Sequence, residues 1–533
     1  MKDVLIVGAG PVGLTMAISC QTMGLQFDII DRLPKPSGYT KALALWSSAL
    51  EMLDGLGVCD EFLSKAISCK GTTISRGRKQ LIHIPAGFCV DSPYPRILLL
   101  PQLETESILC RALEAQGSCI ERHKELINLK QDRDSVSVQV QEASGEVRSE
   151  SFRWVVACDG AHSTVRHLVG AEFEGEALED VFVLCDARIE GEIEEGVAQF
   201  FWSQEGLLAI FPVTPGVWRL TANRTDSSED EPTLEEIQTL LDARGPGGWK
   251  LHSPTWLSKY HISERKARSF RHGRVFLAGD AAHIHSPAGG QGMNTGMQDA
   301  FNLAWKLAVL ARGFGNEEAF AESYHSERSP VAEEVLRESG RLIRSNLSGH
   351  PVLQFVRDRI VGLASHSDKL KRKMSRQLSG IDIHYNRGPL VAGDEHWAEH
   401  CRTHGFPGGW RPRDATVYRD REPVSLFKQW RPCGFTLLLF SGCNPISHDV
   451  ERLWEVAEIT KEWGDLIRIV RIWKGDCPPN SSWFEDPQGI AHKRFGAEVA
   501  SFYLIRPDQY VALRNQPAEA AVLKDWLSRS LGR

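Results

Sequence analysis

The sequence predicts an α/β protein of more than one domain, and three observations carry that expectation. Short apolar runs at residues 4–7, 153–157 and 274–278 each read as a buried strand, and each ends in a turn rich in glycine and aspartate. Residues 170–270, between the second and third of these runs, are rich in strand patterns separated by turn residues. The chain has 533 residues, beyond the roughly 250–300 that one hydrophobic core organises, so two or three domains are expected.

Val4-Leu5-Ile6-Val7 leads directly into Gly8-Ala9-Gly10-Pro11-Val12-Gly13, a Gly-x-Gly-x-x-Gly turn. In such a turn Gly8 permits the tight bend, Gly10 removes the side chain that would block a pyrophosphate, and Gly13 lets a helix pack closely on the strand. Pro11 suits a first helical turn. The helix expected from Pro11 to about Met23 would offer its unpaired amides and positive end to phosphate. Phe27-Asp28-Ile29-Ile30 is the next strand, and it ends at Asp31, 18 residues after Gly13, close to where an acid accepts bonds from ribose hydroxyls. This order predicts a dinucleotide site. Both FAD and NAD carry the adenosine and pyrophosphate concerned, so the segment alone leaves the two open.

The later turns discriminate. Residues 153–157 run into Cys158-Asp159-Gly160-Ala161-His162-Ser163-Thr164-Val165-Arg166. Residues 274–278 run into Gly279-Asp280-Ala281-Ala282-His283, followed by Pro287-Ala288-Gly289-Gly290-Gln291-Gly292-Met293-Asn294. Ligands of open α/β sheets sit at the carboxyl ends of strands, so three such turns are expected to converge on one elongated cofactor. Taken singly, Asp159 and Asp280 also read as helix caps. His283 and His285, with no further ligands, make a poor metal site.

These residues resemble the aromatic-ring hydroxylase family of single-component (class A), FAD-dependent monooxygenases, in its phenol-hydroxylase-like and polyketide-hydroxylase-like branches. The resemblance runs from residue 3 to about 345. It is most specific at residues 279–307, which carry Gly-Asp-Ala-Ala-His, Gly-Gly-x-Gly-Met-Asn and Asp-Ala-x-Asn-Leu-Ala-Trp-Lys-Leu. It implies an α/β fold with a Rossmann-type FAD-binding domain (1–170 and 271–345), an inserted β-sheet substrate domain (171–270), a helical connection (346–394) and a C-terminal thioredoxin-like domain (395–533). FAD would be held by Gly8, Gly10, Gly13, Asp31, Arg32, Gln102, Asp159, Arg166, Gly279 and Asp280. Of these, Asp280 and Gln102 would contact the ribityl chain, and Asp159 and Arg166 are also tied to nicotinamide binding. Pro287 beside the flavin ring, and the amides around Gly292, Met293 and Asn294 at its pyrimidine side, are the implied catalytic positions. A helix starting near Gly292 would aim its positive end at the ring edge where negative charge gathers on reduction.

The chain contains one Gly-x-Gly-x-x-Gly fingerprint, which leaves no obvious second Rossmann domain for a nicotinamide, and the resemblance implies NADPH or NADH as a transient co-substrate bound in a shared cleft. The resemblance implies that NAD(P)H reduces FAD, that O2 adds to the reduced ring, and that the flavin C4a-hydroperoxide hydroxylates an aromatic or polyketide-like small molecule. Where the family commonly has arginine before alanine, this chain has Thr40-Lys41-Ala42-Leu43-Ala44-Leu45-Trp46. Lys41 stands in for that arginine at the cofactor, while Leu43, Leu45 and Trp46 supply no acid or base. That points to an apolar, polycyclic, already activated substrate. Aromatics of the insertion, such as Phe200, Phe201, Phe211 and Trp218, are expected to line a pocket or to pack the sheet. Baeyer–Villiger oxidation, epoxidation and a non-catalytic FAD-binding role stay open, since fold does not fix function.

Composition excludes other classes. An apolar fraction of 42% and a charged fraction of 25% are ordinary, and a net charge of −7 opposes broad binding to nucleic acid. No apolar stretch approaches the roughly 20 residues of a membrane span, and a strand pattern follows Met1 at once, so a cytoplasmic protein is expected. The 12 cysteines form no Cys-x-x-Cys pair. Cys443 stands where a thioredoxin-type redox pair belongs, yet Asn444-Pro445-Ile446 follows, which opposes dithiol exchange and favours packing or oligomerisation, a homodimer included. Residues 302–312 and 317–344 read as helices packed on the first domain, and the charged runs 357–359 and 369–376 as solvated faces.

Overall fold

The structure is a computed structural model that describes residues 1–532 apart from 37, 39–41, 89, 204–205, 225–229, 288, 348–366, 386–387, 393–403, 431 and 476–481. Lys41, Ala288, the charged run 357–359, much of the 346–394 connection and the boundary at 395 therefore lie outside the described residues.

The first of three layered units is an eight-stranded sheet. Its parallel centre lies in the order Val275–Leu277, Val147–Ala157, Lys2–Val7, Phe27–Asp31. Val4, Ile6, Val155, Val156 and Leu277 are fully buried, as expected where both faces of a parallel sheet are covered. Register then aligns the strand ends: Val7 pairs with Ala157 and with Ile30, and Ala157 pairs with Leu277. All of the Gly/Asp turns consequently open on one edge. The Pro11–Met23 helix begins at this edge with proline in its first turn and stops at Gly24, whose φ of 80° and amide bonds to the Cys20 and Gln21 carbonyls close its C-terminus.

A second eight-stranded sheet spans the insertion, with central order Lys250–Ala267, Phe173–Glu190, Val217–Asn223, Gly206–Thr214, Val197–Ser203. Three strands from outside residues 170–270 extend it: Gly71–Arg76 and Lys79–Pro85 at one end, the first pairing in parallel with Val197–Ser203, and His283–Ile284 at the other, antiparallel to Lys250–Ala267. One face packs on the Leu234–Arg244 helix and buries Val183, Phe201, Ile210, Trp218 and Leu220. Strand alternation sends Phe182, Phe200 and Phe211 to the opposite face.

The third unit is a seven-stranded sheet centred on Phe435–Phe440, which runs parallel to Ile467–Lys474 and antiparallel to Ser501–Ile505. It docks against the Gly292–Ala311 helix of the first unit. There Trp305 meets Phe435 edge to face at 5.8 Å, and one apolar core runs through both units.

Candidate active site

The shared edge is built by close approaches that only glycine allows. A Cβ on Gly8 (φ +102°) would stand 2.4 Å from the Cys158 carbonyl oxygen, and one on Gly13 would stand 1.9 Å from that of Gly8. A Cβ on Gly10, by contrast, would meet nothing within 4 Å. The backbone is thus pressed together on both sides of a cradle left open at Gly10, and this shape fits a pyrophosphate laid against the start of the Pro11–Met23 helix.

Several expected site residues turn out to bond the chain itself. Asp31 Oδ2 accepts from the Ala9 amide and Oδ1 from the Leu33 amide, both at 2.7 Å, which fixes the glycine turn to the end of its strand; Arg32 beside it is exposed. Gln102, at the start of the Gln102–Ala115 helix, accepts from the Ala42 amide at 3.1 Å and donates to Glu106 at 2.8 Å. Arg166 is buried, donates to the carbonyls of Ala281 (3.1 Å) and Ala161 (2.8 Å), and lies 3.9 Å over the Phe173 ring. It staples the second turn to the third.

Asp159 caps the Thr164–Leu168 helix through Oδ2, which accepts from the Val165 amide at 3.1 Å, while its Oδ1 is buried and makes no hydrogen bond. Burial pushes this carboxyl up despite its hydrogen bonds. An orphaned buried oxygen beside the glycine turn is what a ligand donor would complete.

At the third turn, Gly279 (φ +57°) lies against Val12, 2.7 Å from where its own Cβ would stand, and Asp280 is exposed on the edge. The Gly279 amide donates to Asp299 Oδ2 at 3.2 Å. Asp299 also takes His283 Nε2 at 2.6 Å and Arg328 Nε at 2.7 Å. Burial opposes its ionisation, but Arg328 and His283 outweigh that and hold the carboxyl below its usual range. The His285 ring sits 5.1 Å from that of His283, and burial, aided by His283, pushes it down to about 3. It is therefore a neutral imidazole. Among the described residues, no group of three or more His, Cys, Asp or Glu side chains is placed to hold a metal.

Pro287 is exposed, and its carbonyl accepts from the Gly290 amide at 2.9 Å in a turn that leads into the Gly292–Ala311 helix. The amides of Gly292, Met293 and Asn294 open that helix, where backbone donors have no intrahelical partner. The Asn294 side chain points to the loop instead: it accepts from the Trp46 amide and donates to the carbonyls of Ala44 and Gly290, each at 2.9 Å. Trp46 Nε1 in turn donates to the carbonyls of Gly289 and Gly290 at 3.1 Å. Leu43 from the same loop packs with Leu99, Phe200 and Phe211, forming an apolar junction between the edge and the second sheet. Further along that sheet face Tyr260 and Thr221 share a hydroxyl bond at 2.8 Å, and Arg219 grips Asp186 through two bonds of 2.8 Å.

Asp299, Arg328 and Trp46 were not singled out from the sequence as site residues. Asp299 lies inside the most specific motif and was legible as a position without a role, whereas Arg328 carries no local signal. In the third unit Ser441, His492 and Asp486 line up with separations of 3.3 and 2.8 Å. Ser441 and His492 are fully buried, and Ser441 Oγ already accepts from the Lys474 amide, so the trio is a closed structural network.

A family model described as an FAD binding domain matches residues 1–339. The chain is 34% identical over 531 residues to a 12-dehydrotetracycline 5-monooxygenase/anhydrotetracycline 6-monooxygenase of Streptomyces rimosus subsp. rimosus, spanning 97% of this chain and 95% of that protein. It is also 34% identical over 399 residues to a rifampicin monooxygenase of Streptomyces venezuelae, spanning 73% and 80%. The solved structure of an anhydrotetracycline hydroxylase from Streptomyces rimosus covers 100% of this chain and 99% of its own at a TM-score of 0.79 and 28% identity. Together with the pyrophosphate-shaped cradle, these likenesses show that the chain belongs to the FAD-binding-domain family of FAD-dependent aromatic and polyketide monooxygenases.

Proposed function

We propose that this FAD-dependent monooxygenase hydroxylates a flat, polycyclic, polyketide-like phenol or quinol held between the Pro287–Gly290 turn and the Phe200/Phe211 face of the second sheet. The observation that carries the reading is the apolar junction of Leu43, Leu99, Phe200 and Phe211, set beside the edge on which all the Gly/Asp turns open. Bound FAD supplies the redox chemistry, accepting reducing equivalents from NADPH or NADH and activating O2.

The chain's own residues have narrower tasks. Gly8, Gly10 and Gly13 shape the cradle, and Asp31 and Gln102 brace its walls. The open Oδ1 of Asp159 is placed to accept from a sugar or ribityl hydroxyl, and Asp280, exposed on the same edge, is assigned to the ribityl chain. The amides of Gly292, Met293 and Asn294 favour negative charge at the flavin edge, worth about 0.3–2 kcal/mol for a helix terminus. Leu43, Trp46 and the sheet aromatics orient a planar substrate and exclude water, with Leu45 packed in the core behind them.

The third unit is proposed to be thioredoxin-like without redox function. Its parallel Phe435–Phe440/Ile467–Lys474 pair, followed by the antiparallel Ser501–Ile505/Val511–Asn515 pair, supports this, and Cys443 has no neighbouring thiol in the sequence. Among the described residues no helix is long and apolar enough to cross a membrane.

The test is anaerobic stopped-flow reduction with NADPH and NADH, with and without a panel of phenols and polycyclic quinols, followed by admission of 18O2. Substrate-stimulated reduction, and a product carrying one labelled oxygen, are expected. Flavin that stays oxidised with every donor and ligand would overturn the reading.

A further inference from the structure

Asp299, Asn302 and Lys306 follow one another at helical spacings on one side of the Gly292–Ala311 helix, and each is at most 1% exposed. Buried ionisable groups persist only when paired, and these pairs cross between units. Lys306 Nζ donates to Glu327 Oε2 at 2.8 Å and to Asn302 Oδ1 at 2.9 Å. Asn302 Nδ2 donates to Glu327 Oε2 at 2.8 Å and to Asp508 Oδ2 at 2.9 Å. From the third unit, Arg506 closes the cluster, reaching Glu327 with bonds of 2.6 and 2.7 Å and Asp508 with bonds of 2.6 and 2.9 Å.

The cluster does not stop there. The Tyr385 hydroxyl lies 3.3 Å from both Asn302 Nδ2 and Arg328 Nη1. Arg328 in turn bonds Asp299, which holds the Gly279 amide and His283. Lys306 and Arg506 balance Glu327 and Asp508, and Arg328 balances Asp299, so no charge is left over to be neutralised elsewhere. A buried network of this kind, in which each charge faces an opposite one, resists displacement of any member, because a lost partner strands the others in low dielectric. The helix it grips also carries the amides of Gly292, Met293 and Asn294 at its start.

We propose that the C-terminal unit is a positioning element for the cofactor turn. Arg506 and Asp508, acting through Glu327, Asn302, Tyr385 and Arg328, set where Asp299 holds Gly279 and hence Asp280. This rests on the placement of FAD at the Asp280 turn. Arg506 and Asp508 are positioning residues, and the unit's role in this enzyme needs no thiol chemistry.

The experiment uses the full-length protein and reads two quantities, the dissociation constant for FAD and the midpoint potential of the bound flavin. Tyr385→Phe removes one hydroxyl at the joint while keeping the ring that packs, tilted, 4.2 Å from that of Tyr510, so the fold is spared; Asp508→Asn cuts the chain one step away. Each is expected to weaken FAD binding about tenfold, the scale of a lost hydrogen bond to a charged group, and to shift the potential. In the double variant the effects should be less than additive, since both cut one chain. Asp486→Asn, in the same unit but off the chain, should lower thermal stability and move neither readout. Unchanged affinity and potential in Tyr385→Phe and Asp508→Asn would overturn the proposal, as would an equal response from Asp486→Asn. Asp280→Ala must weaken FAD binding in the same assay. If it does not, the cofactor placement is wrong and the proposal falls with it, whereas a weakened Asp280→Ala beside inert network variants overturns the proposal alone.

Discussion

Asn294 accepts the Trp46 backbone amide at 2.9 Å, although nearly 250 residues separate the two in the chain. The same side chain donates to Ala44 and Gly290, so the start of the Gly292–Ala311 helix, the Pro287 turn and the loop that carries Leu43 are held as one body. Asn294→Ala strips the buried Trp46 amide and the Ala44 carbonyl of this partner, at about 1–3 kcal/mol each before any relaxation, while the Gly290 carbonyl keeps its bond from Trp46 Nε1. We expect at least a tenfold loss of turnover together with a lowered thermal midpoint. Asn294→Asp should restore the bond from Trp46 and lose those to the carbonyls, giving an intermediate rate. Steady-state kinetics on the two variants checks this ordering.

Gly10 and Gly13 belong to one motif but should fail differently. Space around Gly10 is open and its φ is −78°, so Gly10→Val leaves the apoprotein fold intact and obstructs only what lies in the cradle. Gly13→Ala drives a methyl to within 1.9 Å of the Gly8 carbonyl oxygen and must displace the helix. Apoprotein melting should separate the two, with Gly10→Val close to wild type and Gly13→Ala clearly lower, whereas FAD titration should show loss of binding in both.

The glycine turn, the Pro11–Met23 helix and the helix start at Gly292 were legible in the sequence because their causes are local: a strand end, a steric requirement, a proline at the first turn. The partners of the polar site residues were not. Gln102, Arg166 and Asn294 are of types that suit a nucleotide site, yet here they bond Ala42, Ala281, Trp46 and Ala44, partners that only the tertiary arrangement brings near. Phe200 and Phe201 illustrate the same limit. Alternation says that they face opposite ways, but which of them is core depends on where the Leu234–Arg244 helix packs, and no local pattern encodes that.

Phe200 meets Phe211 in an edge-to-face contact at 5.4 Å, and both are only partly buried. Phe200→Ala should therefore cost little stability, on the order of 1 kcal/mol, while removing a large part of the apolar surface offered to a planar substrate. The expected signature is a KM for a polycyclic quinol raised about tenfold, with substrate-free reduction by NAD(P)H unchanged. Phe201→Ala, which empties the core on the other face, should instead cost about 3–5 kcal/mol in stability.

His285 gives a pH dependence whose sign follows from burial. Its imidazole has an ordinary value of 6.5 and is pushed down to about 3 in the folded protein, first by desolvation and then by His283. A depressed folded value means that the unfolded chain binds the proton first, so the contribution to stability is whole above pH 6.5 and drains away as pH falls towards 3. The full loss is on the order of a few kcal/mol. His285→Asn removes the titrating group and keeps a polar side chain of similar reach. Its stability, read from denaturant midpoints between pH 7 and about 4, should therefore fall less steeply than that of the wild type. Equal slopes for the two proteins would mean that His285 is solvated enough to take its proton in the native state.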